Sequence, residues 1–284
     1  LRDGTWGPES NNELFKVKKG NVTIRAEHNH MAIFDGNKNN TRYGIVGSNN
    51  LSNIILDGLQ ITGTREGGWF GRSMQHFQYL NMYVHHTGNI VTADPSAFGK
   101  AIWIGYTDSN TTPARDILIK GLKSFHNGRL PESSDHTWHD HPIYAKAQGM
   151  RIVECEFIET LSGTDISIDD DGIKKDIEII KCKFGFKKYP RPQTPKINLV
   201  TKSDGPIDGV LIKACDFYNT GTDYAPIQMW RNGDYVQNVT IKGCRQTNNN
   251  PWIREWKPAN RNAEDHPQVT LSNNLKNYAW DGLV

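Results

Sequence analysis

The chain has 284 residues, with 33 Lys and Arg against 31 Asp and Glu, a formal net charge of +2. So small an imbalance gives no global field for holding nucleic acid, and affinity for a polyanion would have to come from a local patch. Charged residues at 23% and hydrophobic residues at 36% exclude a disordered chain, no apolar run reaches the length of a membrane span, and the length is ample for one large core.

The first residues, Leu1-Arg-Asp-Gly-Thr-Trp6, read as the end of a strand and its turn. No signal peptide is visible, and an N-terminal cap is expected to be missing or truncated. Residues 1–284 are expected to form a single domain. Further along, one short pattern recurs: apolar, any, apolar, any, bend, apolar, any, apolar. It occupies 54–61, 77–84, 117–124, 150–157, 177–184, 210–217 and 239–246. The bend position holds Gly58, Asn81, Gly121, Glu154, Lys181, Ala214 and Gly243. Gly and Asn tolerate the backbone angles of a sharp corner.

Strand alternation turns the residue after each bend inward. That column reads Leu59, Met82, Leu122, Cys155, Cys182, Cys215 and Cys244, and it contains all four cysteines of the chain. Its steps of 23, 40, 33, 27, 33 and 29 residues describe constant strands joined by variable loops. Side chains so stacked, about 4.8 Å apart, predict free buried thiols. Parallel in-register Cβ vectors suit a disulfide poorly, and no C-x-x-C spacing suggests zinc.

A second strand family lies between these blocks: 101–105, 142–146, 165–169, 196–200 and 226–230. Its inward pairs are Ile102/Ile104, Ile143/Ala145, Ile166/Ile168, Ile197/Leu199 and Ile227/Met229. With three strands per coil, the fold class is all-β, a single-stranded right-handed parallel β-helix. The outward columns read Trp103, Tyr144, Ser167, Asn198, Gln228; then Gly105, Lys146, Asp169, Val200, Trp230; and, preceding these, Ala101, Pro142, Asp165, Lys196, Pro226. Tyr106, Lys202 and Arg231 come just beyond the strands. Aromatic faces stack on sugar rings and cations hold carboxylates, so the strip suits an acidic polysaccharide laid along the coils.

The opening stretch 1–36, His141-Pro-Ile-Tyr144, and Lys202-Ser203 followed one coil later by Arg231-Asn-Gly233 resemble elements of β-helix polysaccharide lyases. Polysaccharide lyase family six, with its alginate lyases and chondroitinase, is similar as an architecture over most of the chain. A metal-independent alginate lyase family that uses tyrosine and lysine fits about as well. The family-six resemblance implies two glutamates that hold calcium upstream of the lysine. Here that strand reads Lys196-Ile-Asn-Leu-Val200, without acids, so calcium is not favoured and no cofactor is expected.

The implied activity is a lyase that cleaves a uronic acid polymer, alginate first, by β-elimination. Its chemistry needs a neutralised carboxylate, a base for the C-5 proton and an acid for O-4. Tyr144 and Lys202 are assigned to proton transfer, with Arg231 and His141 neutralising the carboxylate. Lys146, Lys196, Asn198, Trp103, Tyr106, Gln228, Trp230, His139 and Asp165 are read as substrate-binding. His136, His139 and His141 have spacings a metal could use, but sugar-binding histidines in a cleft loop read at least as well. Asp169, Asp170 and Asp171 read as a solvated turn, and Lys181 as structural. The alternatives are a C-5 epimerase, a glycoside hydrolase using Asp165, Asp169 or Asp170, and a non-catalytic carbohydrate-binding solenoid. Secretion, a monomer, an acidic polysaccharide as partner, and neither nucleic acid nor membrane complete the expectation.

Overall fold

A computed structural model describes residues 1–7, 12–38, 40–88, 99–105, 114–130, 140–161, 163–169, 174–188, 194–201, 206–218, 225–231, 236–256, 261–262 and 268–279. These residues build a right-handed parallel β-helix of three sheets, visited in turn by every coil. Sheet 1 has ten strands, among them Tyr43–Gly47, Gly67–Gly71, Lys100–Ile104, Ile143–Ala145, Ile166–Ile168, Ile197–Thr201, Ile227–Arg231 and Ile253–Trp256. Sheet 2 has nine, including Gln75–Leu80, Ala114–Lys120, Ala147–Val153, Lys174–Ile180, Ile207–Lys213 and Val236–Lys242. Sheet 3 has nine short ones, including Tyr83–His85, Lys123–Phe125, Glu156–Ile158 and Lys183–Phe184. All pairings between neighbouring coils are parallel, except that Arg261–Asn262 folds back antiparallel on Ile253–Trp256. The strands read as long in the sequence are three to five residues in sheet 1, whereas those before the bend reach seven in sheet 2.

The one-residue corner between sheets 2 and 3 is where the repeat pattern placed it. Gly58, Asn81, Gly121, Glu154, Lys181, Ala214 and Gly243 all have φ between 48° and 69°. Four of these seven are not glycine, and each holds a left-handed conformation that costs an L-residue about 1–2 kcal/mol. The inward column behind it is fully buried, and all four cysteines are free. Each thiol faces the carbonyl two residues back, as Cys182 does at 3.5 Å from Ile180 O. Beside the sulfurs, Phe157, Phe184 and Phe217 stack on successive coils at 5.1 and 4.8 Å. Sheet 2 carries a second left-handed column that the sequence pattern had not shown: Asn53, His76, Asp116, Gly149, Asp176, Gly209 and Asn238. Each is skipped in the pairing register, as Asp116 is between Arg115↔Gln75 and Ile117↔Phe77. That is the signature of a bulge repeated coil after coil.

Between sheets 3 and 1 the corner carries polar side chains across several coils. His85 ends a strand, and His86, His126 and Glu159 follow in left-handed positions on three successive coils. His85 Nδ1 lies 2.8 Å from His86 Nδ1, His86 Nε2 3.4 Å from His126 Nδ1, and His126 Nε2 contacts the Glu159 carboxylate. Gln60 Nε2 lies 2.9 Å from His85 Nε2. An amide nitrogen only donates and a carboxylate only accepts, so one consistent proton arrangement runs the length of the row. In that arrangement His126 donates from Nε2, His86 from Nε2 and His85 from Nδ1. Burial holds His85 down to about 4, helped by His86 and opposed by Asp35. Burial, His126 and Lys188 hold His86 below the usual histidine value.

Candidate functional site

From Gly58 onward sheets 2 and 3 meet at one left-handed residue per coil, so the longer connections enter and leave at the borders of sheet 1. Its outer face is a floor bordered by those connections. Along that floor Phe70, Trp103, Tyr144, Ser167, Asn198, Gln228 and Arg254 stand in register on successive coils. The first three form an aromatic run, edge to face at 5.0 Å and then 6.0 Å. Ser167, Asn198 and Gln228 continue it as a polar row and are buried. Asn198 Oδ1 has no hydrogen-bond partner among the described residues.

Tyr144 lies at the junction of the two halves. Its hydroxyl donates to Asp169 Oδ2 at 2.6 Å, from the strand end one coil on. The His141 ring lies parallel to the phenol ring, with centroids 5.7 Å apart. His141 Nδ1 is 3.3 Å from Thr164 O. A carbonyl only accepts, so Nδ1 carries the proton, and in the neutral ring Nε2 keeps its lone pair. Lys146 Nζ sits 5.8 Å from the Tyr144 ring centre. Lys146 is the single residue between strands Ile143–Ala145 and Ala147–Val153, so the main chain has no slack there. Its carbonyl would lie 1.9 Å from a Cβ at residue 105, which explains Gly105 and its φ of 76°.

Lys100 is a member of this group that the outward columns missed. Its Nζ lies 4.2 Å over Trp103 and 5.5 Å from the centre of the Tyr144 ring. The residue is buried, and that burial brings its pKa to about 7 against the opposing pull of Asp140, Glu66 and Asp169. Ala101 N bonds to Pro142 O, so Lys100 stands one coil before His141 in the column just outside those read from the sequence. Lys100 and His141 share the place immediately ahead of the alternating strand, and that shared place is the signal that could have identified the lysine.

Beneath them Asp140 and Arg129 form an ion pair with no exposure at either side chain. Arg129 Nε is 3.0 Å from Oδ1, and its backbone N–H donates to Oδ2 at 2.9 Å. Burial pushes Asp140 up to about 6 despite that guanidinium. Breaking a buried pair by removing one partner costs about 3–5 kcal/mol, so Asp140 and Arg129 hold the ground on which Lys100 and His141 stand.

The remaining predicted residues divide. Tyr144, His141, Lys146 and Trp103 are brought together. Asp165 and Lys196 are not on the strip: their side chains turn into the corner, 3.7 Å apart and almost fully buried. Thr160 Oγ1 donates to Asp165 Oδ1 at 2.5 Å, Lys196 Nζ donates to Gly185 O, and Lys187 Nζ donates to three carbonyls beside them. Alternation fixed the direction of their Cα–Cβ bonds, but each is the residue just before its strand, where a side chain is free to lean over the corner. Asp169, read as solvated, is the hydrogen-bond partner of Tyr144. Lys181 has the structural place expected of it, 3.8 Å from Glu154 in the bend column. Asn198 and Gln228 stand two and three coils beyond Tyr144, and Trp230 lies beside Gln228. Lys202, Tyr106, His136, His139, Asp170 and Asp171 lie outside the described residues, as does the side chain of Arg231, whose backbone ends its strand opposite Thr201.

The calcium implied by the resemblance does not fit what stands here. Asn198 and Val200 are the outward residues of strand Ile197–Thr201, and the neighbouring carboxylate of Asp165 is already held by Thr160 and Lys196. Among the described residues no three His, Cys, Asp or Glu side chains converge as metal ligands.

No protein-family model matches the chain, and no curated protein matches it. Solved structures do. The A-module of a mannuronan C-5 epimerase from Azotobacter vinelandii aligns with a TM-score of 0.51 at 9% identity, over 93% of this chain and 73% of that one. An endo-xylogalacturonan hydrolase from Aspergillus tubingensis aligns at 0.52 and 12% identity, over the same shares. The catalytic domain of an α-1,3-glucanase in complex with tetrasaccharides aligns at 0.50 and 9%, over 97% of this chain and 59% of that one. At such identities the likeness is one of fold: the chain is similar to these proteins as a right-handed parallel β-helix.

Proposed function

We propose that this chain is a secreted polysaccharide lyase that cleaves an acidic, uronic acid polymer, with alginate the leading substrate, at Tyr144 on the outer face of sheet 1. The observation that carries the reading is the phenol of Tyr144 held by Asp169 at 2.6 Å and ringed by Lys100, Lys146 and His141. Two features support a sugar chain as the ligand. An aromatic run and then a row of amides follow one another along one register column, with the Lys100 amine over one of the rings. Asn198 also offers a buried acceptor that a sugar hydroxyl would satisfy, worth about 1–3 kcal/mol against leaving it bare. The three solved structures of like fold are a mannuronan epimerase, a xylogalacturonan hydrolase and an α-1,3-glucanase, which agrees with a carbohydrate ligand.

The chemistry distributes as follows. Lys146 meets the uronate carboxylate and draws charge from C-5, and His141, its Nδ1–H held by Thr164 O, lies against Tyr144 and orients the sugar. Lys100, as the free amine, takes the C-5 proton. The electron pair becomes the C-4=C-5 double bond as the bond to O-4 breaks. Tyr144 gives its proton to that oxygen, and the phenolate recovers a proton from solvent. Asp169 positions the phenol as acceptor of its hydrogen bond. In the preferred sequence assignment Lys202 shares the proton transfer and Arg231 the carboxylate.

Incubation with alginate, polygalacturonate and a neutral glucan tests this directly. Ultraviolet absorbance from unsaturated uronate ends is expected with a uronate polymer, and Tyr144→Phe should lower it by about 10²–10⁴-fold. Reducing ends without that absorbance would point to hydrolysis, and inverted C-5 centres without chain scission to epimerisation. Either result overturns the lyase.

A further inference from the structure

Four successive strands of sheet 1 each pair an aromatic ring with a cation. Arg42 lies 5.1 Å from the centre of Tyr43, Arg72 5.5 Å from Phe70, Lys100 4.2 Å from Trp103 and Lys146 5.8 Å from Tyr144. The rings themselves are continuous: Tyr43 stacks on Phe70 at 4.9 Å, and Phe70 leads through Trp103 to Tyr144. A cation placed over a ring is oriented by the π face without being neutralised, so it can still take an anion. Glu66 tempers the far end, where its carboxylate receives Arg42 at 2.5 Å and the Tyr43 hydroxyl at 2.7 Å. Arg65 stands 3.7 Å from the same carboxylate. Among the described residues Arg42, Arg65, Arg72, Lys146 and the Asp140-bound Arg129 outnumber the carboxylates of Glu66, Asp140 and Asp169, on a chain whose formal net charge is only +2.

We propose that this ladder is an anion-reading track that leads from Tyr144 toward the N-terminal coils, with Arg72 and Arg42 holding the acidic groups of sugars beyond the one at Tyr144. The proposal rests on the placement of the reacting sugar at Tyr144 and adds a direction and a periodicity to it. Parallel strands repeat about every 4.8 Å, close to the advance of one residue in an extended glycan. A polymer with an acid on every sugar therefore meets Arg42, Arg72 and Lys146 on three rungs and the Lys100 amine on the rung where the chemistry takes place. A neutral glycan meets the same rings without that gain, and a polymer with sparse acids meets only some of the cations. Lys100 and Lys146 are largely covered, whereas the Arg42 side chain is 38% exposed. The outer rungs thus capture the chain and the inner ones act on it.

The test uses uronate oligosaccharides of increasing length and a neutral glucan series, with affinity measured by calorimetry on the Tyr144→Phe protein so that nothing is cut. Arg72→Gln is placed on that background, with Arg72→Lys as the charge-preserving control and thermal melting to compare folding. For oligomers long enough to reach from Tyr144 to Phe70, Arg72→Gln should weaken binding by about tenfold, the value of one charged hydrogen bond. The shortest oligomers should bind unchanged, and Arg72→Lys should recover most of the loss. Equal affinity at every length, or the same loss at every length, overturns the track. So does neutral glucan binding as tight as uronate binding. If Arg72→Gln does not fold, salt titration of the long oligomer decides, and a salt-insensitive affinity overturns the proposal. The product assay is separate: a wild-type protein that binds uronates in this length-dependent way without making unsaturated ends would lose the lyase reading and keep the track.

Discussion

Lys100 reaches the outer face of sheet 1 with its ammonium over Trp103 and its pKa held near 7 by burial. A base must be deprotonated to work, so kcat/KM on the uronate polymer should rise with pH through about 7 and level off above it. Lys100→Arg keeps the positive charge but stays protonated at any accessible pH. It should lose about 10²–10⁴-fold in kcat at every pH. A Lys100→Arg enzyme that retained turnover would make residue 100 a neutraliser rather than a base. The sequence showed Tyr144, Lys146 and Trp103 because alternation sorts residues by face, and the resemblance of His141-Pro-Ile-Tyr144 supplied His141. It did not show Lys100, the first residue of its strand, nor Asp140 and Arg129, which lie in the connections where no period applies. It misplaced Asp165 and Lys196 for the same reason, since a residue at a strand's threshold follows the corner and not the pleat.

At the level of the strand, the bend was legible because a left-handed residue every coil leaves a mark in the sequence even when Glu, Lys or Ala occupies it. What gave it away was the cysteine column behind it. The bulge column in sheet 2 left a weaker mark, since Asn, His, Asp and Gly also populate ordinary turns. The inward stacks predict where stability concentrates. Phe184 sits between Phe157 and Phe217 with near-parallel rings and no exposure. Phe184→Ala should cost about 3–5 kcal/mol in denaturant unfolding, far more than an alanine on the outer face of the same strand. Cys182→Ala, beside it, removes a single buried sulfur and should cost clearly less. A result in the reverse order would mean that the ring stack is not the main load of that coil.

Across the whole molecule each coil touches only its neighbours, so groups that cross coils set how the stack holds together. The row His85–His86–His126–Glu159 crosses three coils. Burial holds two of its members, His85 at about 4 and His86, below the unfolded histidine value of 6.5. Over that interval the unfolded chain binds more protons, so stability is complete above about 6.5 and declines as pH falls toward 4. Asp35 opposes the shift at His85, and Lys188 adds to it at His86. Melting temperature should fall through this window, and His86→Asn, which suits the left-handed backbone, should flatten the fall. An unchanged pH profile in that variant would show that the row does not set it.

The single-residue corner between sheets 2 and 3 has a consequence for descent. Steps of 23 to 40 residues separate successive members of the inward column, yet from Gly58 to Gly243 the corner stays one left-handed residue, unlike the first coil, where six residues lie between Val22–Arg25 and Ala32–Asp35. Over those coils every added residue falls at the borders of sheet 1, away from the thiol and phenyl stacks. A chain built on this plan can therefore gain or lose residues beside sheet 1, coil by coil, while its interior stays the same.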